Sequence, residues 1–361
     1  MIPDFLLDEK MTPACPTPVD PITCDVEVVT PMFLAGADQQ NIDCEYARSA
    51  SVKAQLRWWW RAIAPYSTHE DLLEAEGRLF GDTNNGQGIT VRTSDIKWSI
   101  STPDAKGVMG YLLGQGLFNH KVGVMRPAVN PGSQFYIKII DKASSAELST
   151  AITAFKMFGG LGARQRRGLG SISEINDKIT GLKEYRAQIA ALLNSTPSTP
   201  KTWSHITPQT RCIIIKNEFP SARDALTALG EPLLQFRQSL GGMEAPYGED
   251  HDLISDHLHK RVTLNRSPQR AAFGIPHNYF FKSSKSKLDI HWDDNDRRAS
   301  PLILHVAKLA NGKYAALALL LDGPFLPHGK QLKTKQTKAR FPAPDYSAIH
   351  SYLDILEKGS V

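Results

Sequence analysis

The chain has 361 residues, 41% hydrophobic and 22% charged, with 42 Lys and Arg against 37 Asp and Glu and a formal net charge of +5. That length favours two domains over one core, in a composition ordinary for a soluble globular protein. No apolar run approaches the ~18–20 residues of a bilayer span, and the first ten residues lack the regions of a signal peptide, so a cytoplasmic protein with no membrane partner is expected.

The predicted elements run as follows. Residues 1–21 hold five prolines and read as an irregular lead-in. Ile22–Val29 alternates apolar and polar side chains, the pattern of a half-buried strand. Ser51–Ala64 carries Val52, Leu56, Trp59, Trp60 and Ile63 at helical spacing, with Ser51 as a candidate cap and Pro65 as a stop. A helix over His69–Phe80 and strands over Gln87–Thr93 and Gln134–Ile140 follow. Ala146–Phe158 is a helix with Gly159 expected as a left-handed cap, and Ser171–Ile175 a short strand. This order is the split βαβ arrangement, with one sheet face open and two helices on the other.

Asn194–Thr202 is small, polar and proline-containing, so residues 194–208 read as a linker. A similar order then begins again: strand Gln209–Lys216, helix Ser221–Leu240, a hairpin of Leu302–Leu309 and Tyr314–Leu321 turning at Asn311-Gly312, and helix Asp345–Glu357. The expected fold class is α+β, with two ferredoxin-like domains at 22–193 and 209–361, each with insertions. Residues 241–300 give no clear pattern.

Chemistry concentrates in residues 158–171, where Gly159, Gly160, Gly162, Gly168 and Gly170 bracket Arg164, Gln165, Arg166 and Arg167. Glycine permits close backbone approach, and arginine offers a permanent charge with a planar fork of donors matched to phosphate. Three arginines within four positions repel unless something neutralises them. A P-loop is excluded because no Gly-Lys-Ser/Thr follows and the element order is helix to strand; a dinucleotide loop fails for the same reason. A phosphate backbone is the expected ligand.

Lys53, Arg57 and Arg61 fall at i, i+4 and i+8 and form a basic stripe on the first helix. Trp59 and Trp60 belong to the core, whereas Trp58 falls off that face and is placed to stack on a base. Arg297 and Arg298 either hold a phosphate or pair with Asp293, Asp294 and Asp296. Charge is segregated: Arg48–His69 has four Lys and Arg, Lys260–Lys287 seven and Lys330–Arg340 five, none with an acid, which suits an extended polyanion. His251, His257 and His259 lie near Glu249, Asp250 and Asp256, but their spacing matches no helical ligand pair and the context reads as a loop, so no metal or other cofactor is expected. Cys15, Cys24, Cys44 and Cys212 show no zinc-like spacing and read as reduced thiols.

The run Gly159-Gly-Leu-Gly-Ala-Arg-Gln-Arg-Arg-Gly-Leu-Gly-Ser171 resembles the glycine-rich loop of the RAMP superfamily of CRISPR proteins. Thr30–Asp38, Ser51–Ala62, Leu79-Phe-Gly, Arg270–Gly274 and Arg297–Leu302 are similar to segments of the first Cmr subunits of type III-B effector complexes. The resemblance implies two ferredoxin-like RAMP domains and an RNA-binding subunit with no catalytic residues. It implies a position at the 3′ region of the guide, with guide RNA and target RNA as ligands and the sixth and fourth Cmr subunits as neighbours. Lys53, Arg57, Arg61, the 159–170 loop and Arg297/Arg298 are the positions it carries over. Two alternatives stay open: a RAMP endoribonuclease acting on CRISPR precursor RNA, for which His120 and His205 are the histidines nearest the loop in sequence, and a pure assembly subunit.

Overall fold

The computed structural model describes residues 20–36, 47–141, 145–176, 178–238, 247–292 and 297–358. Strand β1 (Ile22–Val28) is followed by helices α1 (Ser49–Ile63) and α2 (His69–Phe80), strand β2 (Thr90–Lys97), the short helix α3 (Met109–Leu113), strand β3 (Gln134–Ile140), helix α4 (Ala146–Phe158) and strand β4 (Ile172–Glu174). The four strands form one antiparallel sheet in the order β4-β1-β3-β2, the order a split βαβ unit generates. Register follows the alternation read in the sequence: Cys24 faces Ile137 and Val26 faces Phe135, all four buried. Helices α1 and α4 cover this apolar face, with Trp59 against Phe158 at 5.7 Å and Trp60 against Phe80 at 5.9 Å.

Helix α5 (Leu182–Asn194) leads to a second sheet of β5 (Cys212–Ile214), β8 (Leu302–Lys308) and β9 (Tyr314–Leu320), ordered β5-β9-β8. Between β5 and β8 lie α6 (Ala222–Gln238), α7 (Tyr247–Lys260) and the hairpin β6 (His277–Phe281) and β7 (Ser286–Trp292). After β9 come β10 (Leu332–Thr334), β11 (Arg340–Phe341) and α8 (Ser347–Lys358). Every residue from Leu302 to Ala307 is buried, because the β8–β9 hairpin is covered on both faces. Ile303, Ala307, Leu317 and Leu319 join the core of α1 and α4, whereas Leu304, Val306, Ala316 and Ala318 join that of α6 and α8. Burial on both faces is why these strands read as continuous apolar runs instead of alternating. A third sheet, β6-β7-β10-β11, packs one face on α7.

Several expectations change. Ser51 does not cap α1; the helix starts at Ser49 with Arg48 at the cap position and no side-chain cap bond. Gly159 is extended, with φ −86° and ψ 173°, so it is no left-handed cap. It is glycine because a Cβ would lie 2.3 Å from the Phe155 carbonyl oxygen and 3.0 Å from Trp59 Nε1. Residues 247–260 are helical: acidic residues in the first turn and His257, His259 and Lys260 in the last suit the helix dipole. Among the described residues no group of three or more His, Cys, Asp or Glu is placed to hold a metal, and no helix is long and apolar enough to cross a membrane. Cys24 and Cys212 are unbonded thiols. Cys15, Cys44 and most of the N-terminal lead-in lie outside the described residues.

Candidate nucleic-acid interface

The glycine-arginine loop is pinned at both ends. Thr30 Oγ1 donates to the Gly168 carbonyl at 2.7 Å and accepts from the Ser171 amide at 2.9 Å; Ser171 Oγ donates to the same carbonyl at 3.0 Å. Ala163 bridges Phe33, Gly160 bridges Ser171, and Arg167 bridges Leu304 of β8, with the Leu304 amide donating to the Arg166 carbonyl at 3.0 Å. The loop therefore joins the first sheet to the second. Gly162, Gly168 and Gly170 all have positive φ, and at Gly170 a Cβ would sit 1.9 Å from the Leu161 carbonyl oxygen. Arg164 is left-handed too, at φ 63°, a conformation costing a non-glycine residue about 1 kcal/mol.

The three loop arginines diverge. Arg164 Nη2 donates to the Gln115 carbonyl at 2.5 Å, and Arg167 Nη1 to the Tyr111 carbonyl at 3.0 Å. Arg166 Nη1 donates to the Ser300 carbonyl, and its guanidinium lies over Trp58, 5.2 Å from the ring centroid. From the second half of the chain, Arg298 donates through Nε to the Phe325 carbonyl at 2.7 Å and through Nη2 to Ser204 Oγ at 2.8 Å. Among the described residues, no carboxylate pairs with Arg164, Arg166, Arg167 or Arg298; their partners are carbonyls, one hydroxyl and ring faces.

Burial consequently weakens these cations. Desolvation, reinforced by Arg298, pushes Arg166 down to about 10. Desolvation also takes Arg167 to about 10, with Arg164 and Arg237 adding to it. Arg164 is lowered by desolvation and by Arg297, and Arg298 by desolvation. Each remains charged at neutral pH, so the seam holds concentrated positive charge with unspent guanidinium donors. Asp293, Asp294 and Asp296, the alternative partners for Arg297 and Arg298, lie outside the described residues.

A small cleft of about 70 Å³ opens beside the loop, lined by Gln55, Trp58, Trp59, Phe158, Gly159, Gly160, Gln165, Arg166 and Ile303. Trp58 and Gln165 thus meet at the loop as residues of one site. The stripe on α1 turns elsewhere. Lys53 Nζ donates to the Ile89 carbonyl at 2.9 Å, while Arg57 and Arg61 both pair with the buried Glu76 carboxylate of α2. Burial pushes the Glu76 carboxyl up, but hydrogen bonds from Arg61 and then Arg57 outweigh it and hold the group below its ordinary value. Glu76 stood inside a helical pattern and gave no signal as a counterion. Thr30, Tyr111 and Ser300 were missed likewise, because they act on the loop from 56 to 141 residues away.

The histidines are placed as follows. His120 packs edge-on against Phe118 at 5.2 Å. His205 is buried with Nδ1 2.8 Å from the Trp203 carbonyl, and desolvation lowers it. His305 hydrogen-bonds the Gly159 backbone from within β8, where full burial takes it to about 4. None of the three is among the residues lining the loop cleft.

Residues 25–173, which contain β1, α1, α4 and the glycine-arginine loop, match the RAMP superfamily model. Over these residues the chain is similar to proteins of the RAMP superfamily. The relatives it is similar to are Cmr subunits. It is 40% identical over 78 residues to the CRISPR system Cmr subunit Cmr1-2 of Pyrococcus furiosus, a stretch covering 20% of this chain and 40% of that protein. It is 24% identical over 294 residues to Cmr1-1 of the same organism, covering 78% of this chain and 82% of that one. The fold is similar to the crystal structure of apo Cmr1 from Pyrococcus furiosus, with a TM-score of 0.52, 16% identity and coverage of 93% and 95%. It also matches a chain in the cryo-EM structure of the type III-B Cmr-beta bound to cognate target RNA, with a TM-score of 0.54, 12% identity and coverage of 94% and 99%.

Proposed function

We propose that this chain is a non-catalytic RNA-binding subunit of a type III-B Cmr ribonucleoprotein, placed at the 3′ end of the guide beside the sixth and fourth Cmr subunits. The observation that carries the reading is the seam itself. Arg164, Arg166, Arg167 and Arg298 stand along it with no carboxylate partner among the described residues, and burial weakens them all. A phosphate backbone supplies the missing negative charge and accepts the remaining guanidinium donors. Trp58, held by Arg166, offers a ring for a base at the cleft, and Arg297 extends the cationic surface. Lys53, Arg57 and Arg61, on the same helix as Trp58, contribute a weaker, secondary contact, the last two being paired with Glu76. On this reading the sequence of the target is read by guide–target pairing, and this chain grips the backbone.

The two sheets support two related modules, at 22–193 and 209–361. The first has the full 4-1-3-2 order, and β5-β9-β8 with α6 and α8 repeats it as 1-3-2, with no fourth strand among the described residues. The test is crosslinking of guide and target RNA to this chain inside an assembled Cmr complex. Crosslinks in 158–171 and at 297–298 are expected. Their absence, with the complex intact, would favour an assembly role, and specific cleavage of repeat RNA by the isolated chain would favour the endoribonuclease.

A further inference from the structure

Arg237 belongs to no sequence motif, yet the fold carries it to the side of the seam. It lies in the last turn of α6, where a cation suits the helix dipole. The short helix α3 packs on α6. Met109, Leu112 and Leu113 share a core with Leu226, Leu229 and Leu233, and at Gly230 a Cβ would lie 3.0 Å from Leu112 Cδ1. That close packing fixes the end of α3 relative to α6.

The end of α3 meets arginines from both halves of the chain. The Tyr111 carbonyl accepts from Arg167 Nη1, and the Arg167 guanidinium lies over the Tyr111 ring at 5.7 Å. The Tyr111 hydroxyl accepts from Arg237 Nη1 at 3.3 Å. Arg164 donates to the Gln115 carbonyl just beyond. Gly114, at φ 62°, leaves room for these forks: a Cβ there would stand 2.9 Å from Arg167 Nη1 and 3.6 Å from Arg164 Nη2. Three arginines therefore bond to residues 111–115. The partners of Arg237 are of the same kind as those of the seam arginines, a hydroxyl and the Phe273 ring at 5.2 Å, with no carboxylate among the described residues. After desolvation, the like charges of Arg164 and Arg237 both weaken Arg167. Burial, then Arg237 and Arg270, keep the neighbouring His277 neutral. Tyr111, Arg167 and Arg237 are each partly exposed.

We propose that Arg237 is a further phosphate-binding residue, taking the RNA phosphate next to the one on Arg167, with Tyr111 as the positioning residue between them. This rests on the reading of the seam as a phosphate track and extends that track onto α6. Continuity decides the occupant, because Arg167 belongs to the loop and to this pair at once. Like charges held this close without an acid are unfavourable until an anion joins them.

Arg237→Gln keeps a side chain against Phe273 and removes the charge, whereas Arg237→Lys keeps the charge and loses the fork. Tyr111→Phe keeps the ring and the carbonyl that hold Arg167 and deletes only the hydroxyl that holds Arg237. Each full-length variant is titrated with a single-stranded oligoribonucleotide by fluorescence anisotropy across a salt series, with thermal unfolding to verify the fold. Arg237→Gln should lower the log–log slope by about 0.7, so that a fourfold rise in salt weakens binding about 2.6-fold less than in the unmodified chain. Arg237→Lys should keep the slope. Tyr111→Phe should keep it too, lose about threefold in affinity, and cost nothing further in the Arg237→Gln background. A folded Arg237→Gln variant with an unchanged slope, a lysine variant with the glutamine slope, or a Tyr111→Phe loss that persists in full without Arg237 would overturn the proposal. If the alanine variant of Arg164, Arg166 and Arg167 also keeps its slope, the seam reading fails as well. If that variant loses slope and Arg237→Gln does not, the extension onto α6 alone is refuted.

Discussion

Replacing Arg164, Arg166 and Arg167 together, by alanine in one variant and by lysine in another, separates charge from geometry at the seam. If each guanidinium neutralises one phosphate, three alanines remove about 2.1 from the log–log salt slope, at ~0.7 per contact on a single strand. Over a fourfold rise in salt that difference amounts to about 18-fold in affinity. Lysine keeps the slope but loses the fork, so affinity should fall while salt dependence stays near that of the unmodified chain. The structural side is separable. Arg166 and Arg167 donate to the Ser300 and Tyr111 carbonyls, and leaving such an acceptor unpaired costs about 1–3 kcal/mol. Thermal unfolding of each variant therefore accompanies fluorescence anisotropy with a single-stranded oligoribonucleotide across the salt series. A folded triple-alanine variant with an unchanged slope would refute the phosphate reading. A lysine variant with the alanine slope would refute the reasoning from charge.

Three further outcomes follow from the packing. Glu76→Gln removes the shared counterion of Arg57 and Arg61; discounted for the exposure of both arginines, it should cost about 1–2 kcal/mol at neutral pH in urea unfolding. Because the Glu76 carboxyl is held low, the stability it contributes is present above the ordinary carboxylate range and lost as pH falls through the folded value, so the variant should show a shallower acid limb. His305 shifts from 6.5 to about 4, and the unfolded chain takes up a proton that the native chain refuses between those values. Stability should fall by roughly 3 kcal/mol from pH 6.5 to 4 on this account, and His305→Leu should remove that part of the slope. Gly159→Ala drives a Cβ into the Phe155 carbonyl and should lower Tm by several degrees, an overpacking cost of about 1–3 kcal/mol; an unchanged Tm would show that α4 can shift away.

The first half of the fold was legible because its strands are half-buried. Cys24, Val26 and Val28 alternate with polar neighbours, so period two survives in the sequence, and Ala146–Phe158 keeps a clean helical face. The third sheet was not legible. Its strands are two to seven residues long and lie among basic residues, and β10 and β11 follow β7 only after the β8–β9 hairpin intervenes. Helix α7 was hidden by its histidines, which read as a ligand cluster in a loop. In the structure His257 Nε2 meets Thr337 Oγ1 at 2.7 Å and His259 Nε2 meets Ser284 Oγ at 3.0 Å, so they tie the helix to the third sheet.

At the site, residue types were readable but partners were not. Lys53, Arg57 and Arg61 share a helix face, and sequence spacing alone makes that face a free cationic track. Glu76 turns two of them into an ion-paired unit. The loop arginines show the opposite case, because carbonyls from segments before and after the loop position their forks without neutralising them. A carbonyl spends one N–H and leaves the charge, whereas a carboxylate spends the charge as well. That difference ranks the two arginine groups. The stripe on α1 has much of its field cancelled by Glu76, while the charges of the seam meet no carboxylate among the described residues. Phosphate affinity should therefore be dominated by Arg164, Arg166, Arg167 and Arg298, with Arg57→Ala and Arg61→Ala each changing the salt slope by less than half as much as Arg164→Ala.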